Sequence, residues 1–355
     1  MWRILSGMTR TINFRYFVTR NGADFCELHA PKESAPTIIM DDSDSIKTKF
    51  SGRFQSPGKS VDWLTDEIRP VMYLDGVRHN LGLFLPANVS EEETKTEMYV
   101  TVDAFDRGWI VRDHRTEHAL FFPKGMNYLT AVGSVLTECG IALISMVPTE
   151  ETLAEDRADW EIGTSSLDII NQLLAEINYE ELWFDQNGMA MIEPKSTPTA
   201  TNIDHVLDEK DVKSLMIPGI VRTTDFHSSP NVFICVCSNA DKNAPMVAVA
   251  ENTNPQSPLS IQRRGRRIST MVSVDNIASQ AELQLYADRM VTDSLLKGEV
   301  INVTTLLLPG YGVGDIVALR YGEISSICKE KRWSMDLKVG GRMQHELQRV
   351  VMNLD

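Results

Sequence analysis

Two hydrophobic rhythms divide this sequence. Through residues 1–112 apolar side chains recur at every second position, the period of a half-buried strand. Residues 11–19 (TINFRYFVT), 36–40, 44–55, 68–74, 77–85 and 98–105 (MYVTVDAF) are the predicted strands. Asn21-Gly22 and Asp75-Gly76 supply the positive φ that tight turns between strands need. Short strands separated by turn signals predict a small barrel or sandwich with no long helix.

Residues 113–195 change period. A helix is predicted over 126–138, with Tyr128, Leu129, Val132, Val135 and Leu136 on one side and Gly140 as its stop. A strand over 141–147 ends at Pro148, and the charged run 150–159 reads as a solvated loop. The stretch 164–194 is the most informative in the chain. Ser165 and Asp168 make a weak capping box, and Leu167, Ile170, Leu173, Leu174 and Ile177 form one helical stripe. Leu182-Trp183-Phe184, the turn Asp185 to Gly188 and the return 189–192 then predict a hairpin. Two helix-then-strand units in succession make a compact α/β module.

Residues 196–210 read as a polar linker, and strands return over 216–223 and 231–237, with Ser228-Ser229-Pro230 between them. Residues 240–270 are expected to be loop-rich, with prolines at 245, 255 and 258. The longest helical pattern covers 276–296, opened by a Ser279/Glu282 capping box and lined by Leu283, Tyr286, Ala287, Met290 and Val291. Further strands are predicted over 300–308, 316–321, 323–330, 332–339 and 346–352.

A length of 355 residues predicts two or three domains, and 43% hydrophobic residues suffice for real cores. The net charge of −14 argues against a protein that grips nucleic acid through its phosphates, although it suits a surface that nucleic acid must pass without sticking. The five cysteines, Cys26, Cys139, Cys235, Cys237 and Cys328, include no Cys-x-x-Cys pair. In a strand Cys235 and Cys237 share a face and cannot comfortably bridge each other, so packing roles in a reducing compartment are expected. The opening MWRILSGMTR lacks the apolar run of a signal peptide, and no segment approaches the roughly 20 apolar residues of a membrane span. A soluble chain made in the cytoplasm is the expectation.

Candidate chemistry is sparse. Gly310-Tyr311-Gly312-Val313-Gly314-Asp315 is glycine-rich, but neither a helix nor Lys-Ser/Thr follows, so it reads as a turn leading into a strand. His114 and His118 have the i,i+4 spacing of a helical metal site, in surroundings that are not convincingly helical. His345-Glu346 has no evident third partner, and His29, His79, His205 and His227 complete the histidines. No carboxylate pair, nucleophile elbow or metal triad is recognisable, so neither a catalytic residue nor a cofactor or metal site is assigned. The one basic cluster is Arg263, Arg264, Arg266 and Arg267. It could meet nucleic acid, but it has little aromatic interleaving. In so acidic a chain a contact with carboxylates of a neighbouring subunit is the better reading.

The order of several blocks resembles the tail-hub (baseplate hub) proteins of long-tailed bacteriophages and related contractile injection systems. The residues that carry it run from Arg69 to Gly76 (RPVMYLDG), then Leu81-Gly82-Leu83-Phe84, then Val102 to Asp106 (VDAFD). Trp183-Phe184-Asp185 through Gly188 and Pro194, Asn231 to Val236 and Gly314 to Val317 follow. The resemblance spans nearly the whole chain, and order and spacing carry it.

It implies a β-rich α+β fold with two small β-barrel domains in a pseudo-repeat, an α/β module between them and a helix-containing insertion in the second barrel. The corresponding boundaries are 1–112 for the first barrel, 113–195 for the module, 196–239 for a linker and the start of the second barrel, 240–297 for the insertion and 298–355 for the remainder. It also implies a structural, non-enzymatic virion protein made in the bacterial host cytoplasm. Such a protein would form a homotrimer: a pseudo-sixfold ring joins the hexameric tail tube, or a distal tail protein, above to a threefold spike, fibre or tip protein below. DNA would pass through the channel unbound during ejection, and the chain would not insert into a membrane. Many relatives carry a lytic or fibre-binding extension that this sequence, ending at Asp355, lacks. The competing readings are a tail-associated cell-wall hydrolase or wall-binding module, and a nucleic-acid binder using Arg263 to Arg267. Strands within 11–19, 68–85, 216–237 and 300–321 are expected to meet the neighbour or the tube.

Overall fold

The computed structural model describes residues 10–349, except 59–60, 96, 197, 224–228, 238–244, 256, 275–279 and 297–298; the side chains of 282, 293, 295 and 296 are also not described. Two compact units emerge. One comprises Met1–Ser196, Thr305–Val313 and Arg332–Gln344, the other Thr197–Thr304, Gly314–Lys331 and His345–Asp355.

The first unit opens with β1 (Ile12–Arg20), β2 (Ala23–Leu28), β3 (Thr37–Asp41), β4 (Thr48–Gln55), β5 (Glu67–Leu74), β6 (Val77–Asn80), β7 (Leu85–Glu93) and β8 (Met98–Phe105). They make two antiparallel groups, β2-β1-β5-β6 and β3-β4-β8-β7. Both predicted turns form, with φ of 51° and 80° at Asn21-Gly22 and 51° and 82° at Asp75-Gly76. Tyr16, Phe50, Phe54 and Phe84 stack in the core, with ring centroids 5.1 Å apart for Tyr16–Phe54 and 5.5 Å for Phe50–Phe84.

Two expectations fail in this region. The strand expected over 77–85 breaks after Asn80, because Leu81, Leu83 and Phe84 are all buried and consecutive residues cannot share one strand face. Gly82 makes the break at φ 141°, and a Cβ there would lie 2.4 Å from the Phe84 ring. The strand expected from residue 44 starts only at Thr48, after a turn closed by Asp41 N–H on the Lys47 carbonyl at 2.9 Å.

The unit continues with α1 (Gly108–Asp113), α2 (Tyr128–Glu138), β9 (Ile144–Met146), α3 (Ser166–Glu176), β10 (Trp183–Phe184) and β11 (Ala190–Ile192). The stripe Leu167, Ile170, Leu173 and Leu174 is buried with Leu129, Val132, Val135 and Leu136 of α2, as the helical spacing predicts. Asn127 caps α2, its Oδ1 accepting from Leu129 N at 2.9 Å, and Gly140 at φ 76° ends it. The hairpin β10–β11 also forms, and β9 joins β11 in parallel.

The Ser165/Asp168 capping box does not form. The Ser165 hydroxyl instead donates to the Arg112 carbonyl at 2.8 Å. The run 150–159 is not solvated throughout: Leu153 and Arg157 are buried, and bridges join Phe122 to Arg157 and Asn127 to Thr152. Arg157 is held there by ion pairs to Asp159 and Glu176 and by the Trp160 ring, whose centroid is 5.0 Å away.

The remaining elements are β12 (His205–Asp208), β13 (Met216–Thr223), β14 (Val232–Cys237), β15 (Met246–Glu251), α4 (Ile261–Arg264), β16 (Ser269–Val274), α5 (Gln280–Leu296), β17 (Val300–Leu306), β18 (Ile316–Tyr321), β19 (Ile324–Asp336) and β20 (Arg342–Arg349). In the second unit β12 pairs in parallel with β18, which pairs antiparallel with β19. A separate sheet, β15-β14-β16, is covered on one face by α5, where Leu283 and Ala287 meet Cys235, Cys237, Ala248 and Ala250.

Several expectations change here. The linker 196–210 contains β12, and the loop-rich 240–270 contains β15 and α4. The strands expected over 323–330 and 332–339 are one strand, β19, because Lys331 and Arg332 extend its alternation instead of breaking it. The last strand begins at Arg342, earlier than expected. The Ser279/Glu282 box, His227, Ser228 of the expected turn and the last part of the strand expected over 346–352 lie outside the described residues. The fold is thus β-rich α+β, and no described helix is long and apolar enough to cross a membrane.

Candidate assembly surface

Among the described residues no group of three or more His, Cys, Asp or Glu could hold a metal ion. His114 closes α1 with ψ 127°, so the helical register required for a His114–His118 site is not there; its Nδ1 shares a 2.7 Å hydrogen bond with Ser166. Gly310 to Gly314 leads into strand β18, with φ of 97° and 71° at its two ends, so it cradles no helix terminus.

His345 of β20 does have a partner, which the sequence hid. Its Nδ1 lies 2.8 Å from Glu330 Oε2 of β19, with both side chains fully buried, and burial pushes the Glu330 carboxyl up, partly offset by His345. Fifteen residues separate them in sequence, and only strand pairing makes them neighbours.

Another buried carboxylate is Asp106. It accepts from the backbone N–H of Thr48 at 2.7 Å and of Gly108 at 2.8 Å, and so ties the start of β4 to the start of α1. Burial nevertheless raises its pKa to about 6. The cavity beside it, near Trp183, Gln186 and Trp333, has about 20 Å³ of space for water.

The surfaces have more to offer. In the basic cluster, α4 ends at Gly265 with φ 64°, and this turn divides the arginines. Arg264 donates to the Ser229 carbonyl, and Arg267 forks onto both oxygens of Glu251, whose carboxyl it holds below the usual range. Arg263 and Arg266 are exposed and have no carboxylate partner among the described residues. Of the four arginines singled out from sequence, two are thus held within the chain and two are available to a partner.

The strands expected within 11–19 and 68–85 to meet a neighbour lie in β2-β1-β5-β6, whose outer face is a further surface. Arg15 and Arg78 lie over the Phe17 ring at 4.8 and 5.4 Å, Asp24 binds both Arg69 and Arg78, and Glu27 binds Arg15. Arginine and aromatic side chains are those that protein interfaces concentrate. The alternation Asn13, Arg15, Phe17 along one strand face was the readable signal.

No protein-family model matches the sequence, and no curated protein matches it by sequence either. Similarity appears in structure. A tail protein from Neisseria meningitidis superposes with a TM-score of 0.68 at 14% identity, over 94% of this chain and 96% of that one. The 43 kDa tail protein of prophage MuSo2 from Shewanella oneidensis gives 0.69 at 9% identity, over 96% and 99%. An E. coli type VI secretion component, described as similar to T4 bacteriophage tail proteins, gives 0.51 at 10% identity, over 97% of this chain and 75% of that one. Over nearly its whole length the chain has the fold of these tail proteins.

Proposed function

We propose that this chain is a structural component of a phage-type tail, the hub at which the tail tube meets the tip. The observation that carries the reading is two-way coverage: tail proteins of the same fold account for 94–96% of this chain and 96–99% of their own length. A shared domain would leave much of one partner unmatched. Fold alone does not fix function. The buried polar groups also favour a scaffold: Asp106, Arg157 and Glu330 bind neighbouring strands and helices.

In this reading three copies close into a ring. Residues 1–112 form a first barrel, 113–195 the module, 196–239 and 298–355 a second barrel, and 240–297 its insertion. Two similar barrels per chain present six near-equivalent positions to a hexameric tube above, while threefold symmetry serves a spike or fibre below. Arg263, Arg264, Arg266 and Arg267 belong to the subunit contacts. The virion is the place of action, and DNA crosses the lumen without specific binding.

Light scattering over a concentration series tests the ring. A species of three times the 39.9 kDa chain is expected. A chain that stays monomeric at the highest concentration reached overturns it.

A further inference from the structure

Open sheet edges expose unpaired backbone groups that invite a foreign strand, and proteins guard them. Three of the described edges are guarded in this way. β7 carries Pro86, a register shift and three glutamates. β13 carries Pro218 and Gly219. β15 is covered from α5, where the side-chain amides of Gln280 and Gln284 donate to the carbonyls of Val247 and Val249 at 2.9 and 3.2 Å.

β16 carries no such guard. Its sequence, STMVSV, has no charge, proline or glycine, and its register against β14 is unbroken. Val232 N–H donates to the Ile268 carbonyl at 3.2 Å, so by alternation Thr270, Val272 and Val274 face β14. Ser269, Met271 and Ser273 therefore direct their N–H and C=O groups to the open side. Met271 is 71% exposed and lies in one row with Ile234 and Val249, leaving an apolar step on the face away from α5.

The chain carries a strand that complements this edge. After its register shift β7 runs regularly from Asn88 to Glu93, six residues against the six of β16. It is itself an edge strand, and it ends in Glu91, Glu92 and Glu93, of which Glu92 pairs with Arg53. Arg263 and Arg266 immediately precede β16. Antiparallel addition sets the acidic end of β7 beside these two arginines; parallel addition sets it at the far end, beside Val274. The glutamates that deter indiscriminate pairing are attractive at this one edge.

We infer that β16 of one copy accepts β7 of a second copy as an antiparallel fourth strand, with Glu91 and Glu93 facing Arg263 and Arg266. Two different surfaces meet, so the contact is head-to-tail and propagates until a ring closes. The inference rests on the ring reading above and names its contact.

Charge reversal tests it on the full chain, with light scattering for association and circular dichroism for folding. All four side chains are exposed, so each variant folds. Arg263→Glu with Arg266→Glu, and separately Glu91→Arg with Glu93→Arg, each weaken association by about tenfold or more, and combining all four substitutions restores most of it. Rising salt weakens the native contact and spares the uncharged part of the strand pairing. A native-sized ring in both reversed variants overturns this contact and leaves the ring standing. A combined variant weaker than either parent also overturns it. A native chain that never associates removes the ring and the contact together.

Discussion

Two buried charges set the behaviour expected at single residues. The carboxyl of Asp106 has its pKa raised to about 6 by burial, which its two backbone N–H bonds oppose without overcoming. A carboxyl raised in the folded state binds more protons there than in the unfolded chain. Its contribution therefore favours folding as pH falls from 6 towards 4 and is lost as pH rises through 6. A rise of about two pH units corresponds to about 3 kcal/mol. Asp106→Asn removes this dependence, so its stability relative to the native chain, read from urea midpoints, improves between pH 4 and pH 7; a constant difference would refute the assignment. Arg157 is the converse case, a buried cation between Asp159 and Glu176, where Tyr128 also donates to Glu176 at 2.8 Å. Arg157→Met strands the Glu176 carboxylate and should cost about 3–5 kcal/mol, and adding Glu176→Gln should recover part of that loss. Strict additivity of the two, measured in the same urea titrations, would mean that the charges do not depend on each other.

At the level of elements, the backbone at Gly82 is decisive. Its φ of 141° and the 2.4 Å approach of the Phe84 ring leave no room for a methyl group. Gly82→Ala should cost about 1–3 kcal/mol, seen as a lower thermal midpoint, whereas alanine at solvent-open Gly163 meets only its own backbone strain. Gly82 also shows what could be read in advance. The hairpin turns at Asn21-Gly22 and Asp75-Gly76 and the stripes of α2 and α3 were legible, because adjacent residues set them. The break at Leu81–Phe84 was not, because three buried side chains in four positions look the same in a strand and in a turn until a partner sheet exists. β12 escaped for a related reason: it is four residues long, and parallel pairing to the remote β18 makes it a strand. The surface chemistry divides in the same way. The clustering of Arg263 to Arg267 is visible in the sequence, but the partners that hold Arg264 and Arg267, the Ser229 carbonyl and Glu251, come from tertiary structure.

For the whole molecule the governing quantity is charge. Each copy carries a net −14, so the proposed ring of three would carry three times that charge. On that reading a lumen lined by acidic side chains would repel phosphate and let DNA pass without being held. Arg263 and Arg266 are the main test of that view, because two unpaired arginines are also the start of a phosphate site. If they serve the contact between copies, duplex DNA should show no retardation by the assembled protein at about 50 mM salt, where phosphate contacts are strongest. Dissociated Arg263→Glu/Arg266→Glu protein should bind DNA no less than the native chain. Binding that the native protein shows, that falls steeply with salt and that disappears in the double variant would assign those arginines to nucleic acid. The acidic end of β7 would then need another partner. The two outcomes separate because a contact between proteins engages a few charges at fixed positions, whereas a duplex exchanges condensed counterions in proportion to the phosphates met. The salt dependence of association, measured beside that of DNA retardation on the same samples, therefore tells which polymer the two arginines were placed to meet.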